Sequence, residues 1–410
     1  MNNPSYDSQF LLKNLMDNME DCIYFKDLES KFIFVNSAMA QWMGCKKPAE
    51  VIGKSDFDIY REENAQRMFE AEQAIIKTGE SLEGIEEKEE WKEGRMAWVS
   101  TTKLPLRDAT GKIMGTFGVS RDITAQKESE QQAAYYARQI QRIKEEMEEE
   151  IRMAAELQKT FFPHSYPKFP KGCNPSDSAV SFLHYYQASE WVSGDFCAVR
   201  RISDSESGIL LCDVMGHGVR AALGTAIIYA MVKELMEQER NPAHFLQRLN
   251  RLLLPVFQQE DSFMFATACY AIFDSRTGKL RVASAGHPPP IHLDRKAQKT
   301  KWLFSEEQVC GPALALFEEA EYSSVELSIQ PGDGVLLYTD GIYEAANAND
   351  EEFGEDRLLE TAQHHVHLKM NLLFPALMNA AEQFSEQTFF DDDVCLLGFD
   401  YRHPMEKKDG

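Results

Sequence analysis

The sequence predicts an α+β protein: two mixed regions joined by one long helix. Three observations carry this reading. Residues 125–162 contain no glycine or proline and are rich in Glu, Gln, Lys, Arg and Ala. Before them, short apolar runs with turn clusters read as two strands, several short helices and three strands. After them, strands and helices come in segregated groups, as in sheets covered by helices.

The elements follow in order. Residues 9–20 (QFLLKNLMDNME) place apolar residues at helical spacing. Ile23–Phe25 and KFIFV (31–35) flank the turn-like Lys26–Ser30 as a strand hairpin, and Asn36 caps a short helix carrying Ala40, Trp42 and Met43. A further short helix is expected near 56–60, and a clearer one over 64–78, ended by Gly79. Strands follow at about 81–90, 95–106 and 112–121.

In the linking segment, Ile140, Ile143, Met147, Ala154, Leu157 and Phe161 follow an a/d spacing broken by Glu150, so a parallel two-stranded coiled coil ending at Phe162-Pro163 is expected. Strands are then expected at 180–187, 196–202 and 208–214, helices at 218–237 and 242–257, and a hairpin at 265–273 and 280–285. Strands at 291–293, 325–329 and 334–338, helices near 355–364 and 370–385, and a final strand at 394–400 complete the chain.

Bulk properties narrow the function. The 410 residues predict two or three domains. A net charge of −23 argues against nucleic acid or anionic lipid as the main partner, because both need basic patches. The eight cysteines are scattered with no CxxC pair, as for buried thiols in a reducing cytoplasm. No leader is expected in MNNPSYDSQF, and no apolar run reaches membrane-helix length. A soluble cytoplasmic protein is expected.

The chemistry concentrates in acidic corners. In GILLCDVMGHGV (208–219) an apolar strand ends at Asp213, and Gly216 and Gly218 keep side chains away from whatever Asp213 binds. Asp195 in SGDF, Asp340 in TDG and the run Asp391-Asp392-Asp393 sit in like settings. Two carboxylates ~4 Å apart repel by about 4 kcal/mol at an effective dielectric near 20. Convergent aspartates would therefore be protonated or bind cations. Hard oxygen ligands without Cys or His favour Mg²⁺ or Mn²⁺ over zinc.

Two resemblances follow from motifs. FIFVNSAMAQWMG (32–44), VIGKSDFDIY (51–60) and GKIMGTFGVSRDIT (111–124) resemble a PAS domain, which implies signal sensing or dimerisation through a small ligand or an upstream signalling protein. The first histidine is His164, beyond this module, so no haem ligand is expected in it. Trp42, Phe57, Trp91 and Trp98 are read as core or dimer surface.

VSGDF (192–196), LCDVMGHGVRAAL (211–223), SAGHPPPIHL (284–293), GPALALF (311–317), QPGDGVLLYTDGIYEA (330–345), FGEDRL (353–358) and DDDVCLL (391–397) together resemble the sporulation stage II E-type serine phosphatases of the protein phosphatase 2C superfamily. AAELQKTFFP (154–163) resembles the helix preceding that domain.

The implied domains are a PAS sensor at 1–124, a coiled-coil linker helix at 125–162 and a helix-flanked antiparallel β-sandwich phosphatase at 163–402. The resemblance implies two Mn²⁺ or Mg²⁺ ions. Asp213 would bridge them, the Val214 carbonyl would bind one, Asp340 and Asp392 the other, and Asp195 would bind directly or through a water. Asp391 and Asp393 stay open as alternatives to Asp392. It further implies a metal-activated water attacking phosphorus in line, with a phosphoserine anti-anti-sigma protein as substrate, in a homodimer.

This chain departs from the family pattern at Cys197-Ala198 and at Cys395. His217 and His287 are read as structural. The rival readings are an inactive pseudophosphatase scaffold and a diguanylate cyclase. The latter fits poorly, because SGDF lacks the second acid of the GGDEF loop.

Overall fold

The computed structural model describes residues 7–259, 262–305, 309–387 and 390–403. Residues 1–6, the start of the stretch read for a leader, lie outside them. The chain divides into two compact units between Lys144 and Glu145, inside a single helix. The expected boundaries after 124 and 162 lie near the two ends of that helix, Thr124–Lys159.

The N-terminal unit runs α1 (Ser8–Asn18), β1 (Cys22–Lys26), β2 (Phe32–Val35), α2 (Ser37–Trp42), α3 (Asp56–Ile59), α4 (Glu62–Thr78), β3 (Leu82–Glu90), β4 (Met96–Arg107) and β5 (Ile113–Asp122). The Asn36 side chain accepts from Met39 N and starts α2. Gly79, at φ 74°, ends α4 in the left-handed conformation that glycine adopts without cost. The strands form one antiparallel sheet in the order β2-β1-β5-β4-β3.

The interior of this unit holds charge. Lys26, 1% exposed, reaches Asp56 Oδ2 at 2.5 Å and Glu72 Oε1 at 2.6 Å. Glu89 is buried too and accepts from Trp42 Nε1 at 3.1 Å. Trp42 and Trp91 meet edge to face in the core, as read. Phe57 stays partly exposed.

Helix α5 (Thr124–Lys159) ends three residues before Phe162, whose ring leaves the helix to pack on Tyr186 at 4.2 Å. Within one chain, Ile140, Ile143, Met147 and Leu157 of the expected seam are exposed. The face turned to the C-terminal unit is instead Ala155 and Gln158.

The C-terminal unit continues with β6 (Val180–Gln187), β7 (Asp195–Arg201), β8 (Glu206–Val214), α6 (Val219–Gln238), α7 (Pro242–Phe257), β9 (Gln258–Gln259), β10 (Ser262–Phe263), β11 (Ala266–Asp274), β12 (Lys279–Ala285), β13 (Ile291–Asp294), β14 (Lys299–Trp302), β15 (Cys310–Gly311), β16 (Val325–Ser328), β17 (Gly334–Tyr338), α8 (Gly354–His364), α9 (Met370–Ser385) and β18 (Val394–Tyr401). The short strands β9, β10, β14 and β15 were not anticipated, since two to four polar or mixed residues carry no periodicity.

Two sheets result. One has the order β15-β12-β11-β8-β7, with β16 also on β12; the other is β14-β13-β17-β18-β6. All pairings are antiparallel except the short β12–β15 contact.

The layers are helix, sheet, sheet, helix. Ile209, Leu211, Cys269 and Val282 of the first sheet pack on Val335, Leu337, Cys395 and Leu397 of the second. Leu210, Cys212 and Val214 on the other face of β8 meet α6 and α7. Leu336, Tyr338 and Leu396 meet α8 and α9. A strand buried on both faces must be apolar at every position, which is why GILLCDV shows no alternation.

Candidate metal centre

The acidic residues stand where strands stop. Asp195 opens β7 and Asp213 lies near the end of β8, and the register sets them directly opposite. The Val214 N–H bonds to Gly194 O at 3.1 Å, which makes 194/214 a hydrogen-bonded pair. By antiparallel alternation 195/213 is then a non-bonded pair, the kind that brings side chains closest. Asp340 begins the short turn Asp340–Ile342 just after β17, and Asp392 precedes β18.

Each carboxyl is pushed above its ordinary range. For Asp195 the causes are burial and then Asp213; for Asp213 they are burial, Asp340 and Asp392. Burial and then Asp392 raise Asp340, and burial leads again for Asp392, with Asp393 adding to it. These mutual effects place Asp195, Asp213, Asp340 and Asp392 in one electrostatic neighbourhood.

A set of positioning bonds holds the corner. Thr339 Oγ1 donates to Asp195 Oδ2 at 2.7 Å and accepts from Cys395 N at 2.8 Å. Asp195 Oδ1 is buried without a hydrogen-bond partner. Asp393 accepts from Gly194 N at 2.8 Å and from Ser189 N at 2.8 Å and Oγ at 3.1 Å. Its carboxylate thus ties the SGD turn to the last strand. Asp392 is half-buried, and its Oδ1 accepts from Asp393 N at 2.7 Å. Asp391 is exposed.

Two glycines keep the corner open to the backbone. A Cβ on Gly194 would meet Val214 O at 2.5 Å, and one on Gly341 would meet Asp393 O at 2.1 Å.

Gln158 is the residue that sequence reading missed. Its amide accepts from Ser193 N at 3.0 Å and donates to Ser193 O at 2.7 Å and Thr225 Oγ1 at 2.9 Å. The end of α5 is thereby bonded to the turn that carries Asp195. A buried glutamine inside an otherwise apolar stripe was the only available signal.

Thr339 and Asp393 were in view as motif members, but their bonds across the sandwich were not legible. His287 is buried, shares a proton with Thr267 Oγ1 at 2.8 Å, and is pushed down to about 3 by burial, so it stays neutral. His217 faces Glu190 at 3.0 Å at the exposed rim. A cavity of about 270 Å³ opens beside Asp340, lined by Thr267, His287, Tyr343 and Glu355.

Among the described residues no three His, Cys, Asp or Glu side chains close into a ready cage for one ion. The corner nonetheless fits divalent cations. Its donors are hard oxygens, Asp195 Oδ1 is unsatisfied, and the side chains that shift these carboxyls are mainly other acids.

Comparison with known proteins agrees with this architecture. Residues 203–402 match the family model of stage II sporulation protein E, and residues 16–128 match that of the PAS fold. The chain carries a PAS domain and a stage II sporulation protein E domain. The stage II sporulation protein E match includes Asp213, Asp340 and Asp392 and begins after Asp195.

The phosphoserine phosphatase RsbP of Bacillus subtilis is 28% identical over 224 residues, covering 54% of this chain and 53% of the relative. The phosphoserine phosphatase RsbU of the same organism is 28% identical over 218 residues, covering 53% of this chain and 60% of the relative. The chain thus matches little more than half the length of these relatives. Among solved structures, the SiaA-PP2C domain of Pseudomonas aeruginosa aligns with a TM-score of 0.53 at 20% identity, covering 63% of this chain and 98% of that domain. This stage II sporulation protein E domain therefore has the protein phosphatase 2C fold.

Proposed function

We propose that the protein is a signal-regulated, metal-dependent phosphoserine phosphatase, and that its substrate is a phosphorylated anti-anti-sigma-type protein. The observation that carries the reading is a cluster of four aspartates with an orphaned, buried oxygen on Asp195 and no lysine or arginine among the causes of their shifts. Relatives named as phosphoserine phosphatases supply the substrate class.

Asp213, the Val214 carbonyl, Asp340, Asp392 and Asp195 would hold two Mn²⁺ or Mg²⁺ ions. When bound, such a pair supplies a nucleophilic hydroxide and neutralises phosphoryl charge. The chain's own residues do the positioning. Thr339 fixes one oxygen of Asp195 and leaves the other free. Asp393 and Gln158 hold the turn before Asp195 from two sides. No side chain is needed as a nucleophile.

Residues 163–402 form the hydrolytic module in this reading, and 1–124 the sensor. Residues 125–162 pair with a second copy through the exposed Ile140, Ile143, Met147 and Leu157 in a cytoplasmic dimer. The bonds from Gln158 to Ser193 give the helix a direct hold on the site.

The test is phosphate release from a phosphoserine anti-anti-sigma-type protein by the full chain with Mn²⁺, comparing wild type with Asp213→Asn. Manganese-dependent release that the variant loses is the expected result. Hydrolysis of neither this substrate nor p-nitrophenyl phosphate by wild type would leave a binding scaffold as the reading.

A further inference from the structure

Among the described residues strand β7 is the edge of its sheet: β8 pairs with one side, and no described strand pairs with the other. The direction of its free groups can be read from the ladder. Val214 N bonds Gly194 O at one end, and Ile202 N bonds Glu206 O at the other. Both pairs are hydrogen-bonded pairs of one register, so 196, 198 and 200 turn their N–H and C=O toward β8. The N–H and C=O groups of Val199 and Arg201 therefore point away from it. Among the described residues these groups make no backbone or side-chain hydrogen bond. Val199 is nonetheless 6% exposed. A strand this covered with open backbone groups is an unfinished sheet.

The open edge borders a groove. Two cavities of about 280 and 300 Å³ share Ser165, Val199 and Arg200. One wall is the segment after α5, the other is α6. The floor is aromatic, with Phe161 stacked on Tyr229 at 4.7 Å.

The groove is also basic, in a chain of net charge −23. His164, Arg200 and Lys233 line it, with Glu237 as the one acid. Neither Arg200 nor Lys233 has an ion-pair or hydrogen-bonding partner among the described residues. Arg201 is already committed to the carbonyls of Lys168 and Asp204 and to the Phe169 ring.

We infer that this groove docks an acidic, extended segment of a partner protein by strand addition to β7. Main-chain bonds to Val199 and Arg201 give the affinity, and carboxylates facing Arg200 and Lys233 give the selection. The chain's own densest acidic run, Glu145–Glu150, is helical and offers no free strand edge. The inference stands apart from the hydrolytic reading, because no groove residue belongs to the acidic corner.

The experiment is fluorescence anisotropy with the full chain and a labelled peptide of alternating valine and glutamate. A second peptide has the same charge with proline at alternate positions. Saturable binding of the first peptide, weakened at least about tenfold by Arg200→Glu with Lys233→Glu, and no binding of the proline peptide are expected. An unchanged urea midpoint for the double variant shows that it folds. Val199→Pro removes the outward N–H along with a core side chain, so its urea midpoint is read as well; in the folded variant binding should be abolished. No binding by wild type overturns the inference. So does equal binding of both peptides, which would mean charge attraction without strand addition. A smaller assembly on sedimentation of Val199→Pro would overturn it in favour of a second copy of the chain on this edge.

Discussion

Each unit gathers a cluster of acids, buried in the first and partly buried in the second, and the two treat it in opposite ways. In the N-terminal unit Asp56 and Glu72 close on Lys26 at 2.5 and 2.6 Å, so the charge is met by the protein itself. Burial drives the Lys26 ammonium down, but the two carboxylates outweigh it and the net shift is upward. In the C-terminal unit Asp195, Asp213, Asp340 and Asp392 have no lysine or arginine among the causes of their shifts; Asp213 raises Asp195, Asp340 and Asp392 raise Asp213, and Asp392 raises Asp340. A buried charge without a partner costs several kcal/mol. The first cluster is complete as it stands. In the proposed function the second is completed by bound cations. That difference separates structure from chemistry better than burial or acidity does.

The comparison can be broken at its strongest point. Asp213→Asn should lower phosphate release by at least about a thousandfold, since the proposed central ligand is lost. The same variant should melt higher than wild type in EDTA, because one repelling charge is gone. Added Mn²⁺ should raise the melting point of wild type and not of the variant. A variant that melts lower in EDTA would show that the corner is already balanced.

In the other cluster the effect should reverse. Lys26→Met leaves Asp56 and Glu72 buried without their counter-charge and should cost about 3–5 kcal/mol in urea unfolding. Adding Asp56→Asn and Glu72→Gln should recover most of it.

Acid titration of the same interior gives the next effect. Burial pushes Glu89 up to about 7. The folded state therefore holds a proton that the unfolded state has released above about 4.5. Stability from this group is full below that pH and is lost as pH rises toward 7, by about 3 kcal/mol in all. Glu89→Gln should flatten the dependence of the urea midpoint over this window.

Smaller effects sharpen the positioning argument. Thr339→Val removes the bond to Asp195 and should reduce kcat about tenfold with little change in KM. Gln158→Ala leaves Ser193 unpaired and should cost about 1–3 kcal/mol. It should also blunt any change in rate caused by inserting one residue near Glu148. An insertion that acts equally in both backgrounds would remove Gln158 from the path.

Much of the fold was legible because its elements are long or strongly punctuated. Asn36 and Gly79 mark helix ends through local chemistry, and they appear where expected. The acidic corners were legible as well, since aspartate after an apolar strand and before glycine is a local pattern. Their partners were not. Thr339 lies 144 residues from the aspartate it holds, and Asp393 lies 199 residues from the Gly194 amide it accepts from. Bonds of that span leave no periodic trace. The a/d spacing of α5 was read as a partner-facing stripe, while the buried residues of its last turns are Ala155 and Gln158, because the C-terminal unit covers a neighbouring face.

The sequence by itself determined the order and type of the longer elements and the position of each aspartate beside a strand, because caps, turns and apolar period act over a few residues. Only the tertiary structure decided which aspartates share one neighbourhood, which carboxylate is tied to Gly194 and Ser189, and which edge of β7 is left open. Those depend on strand register and on two sheets packed face to face, and register is set by burial across the whole unit.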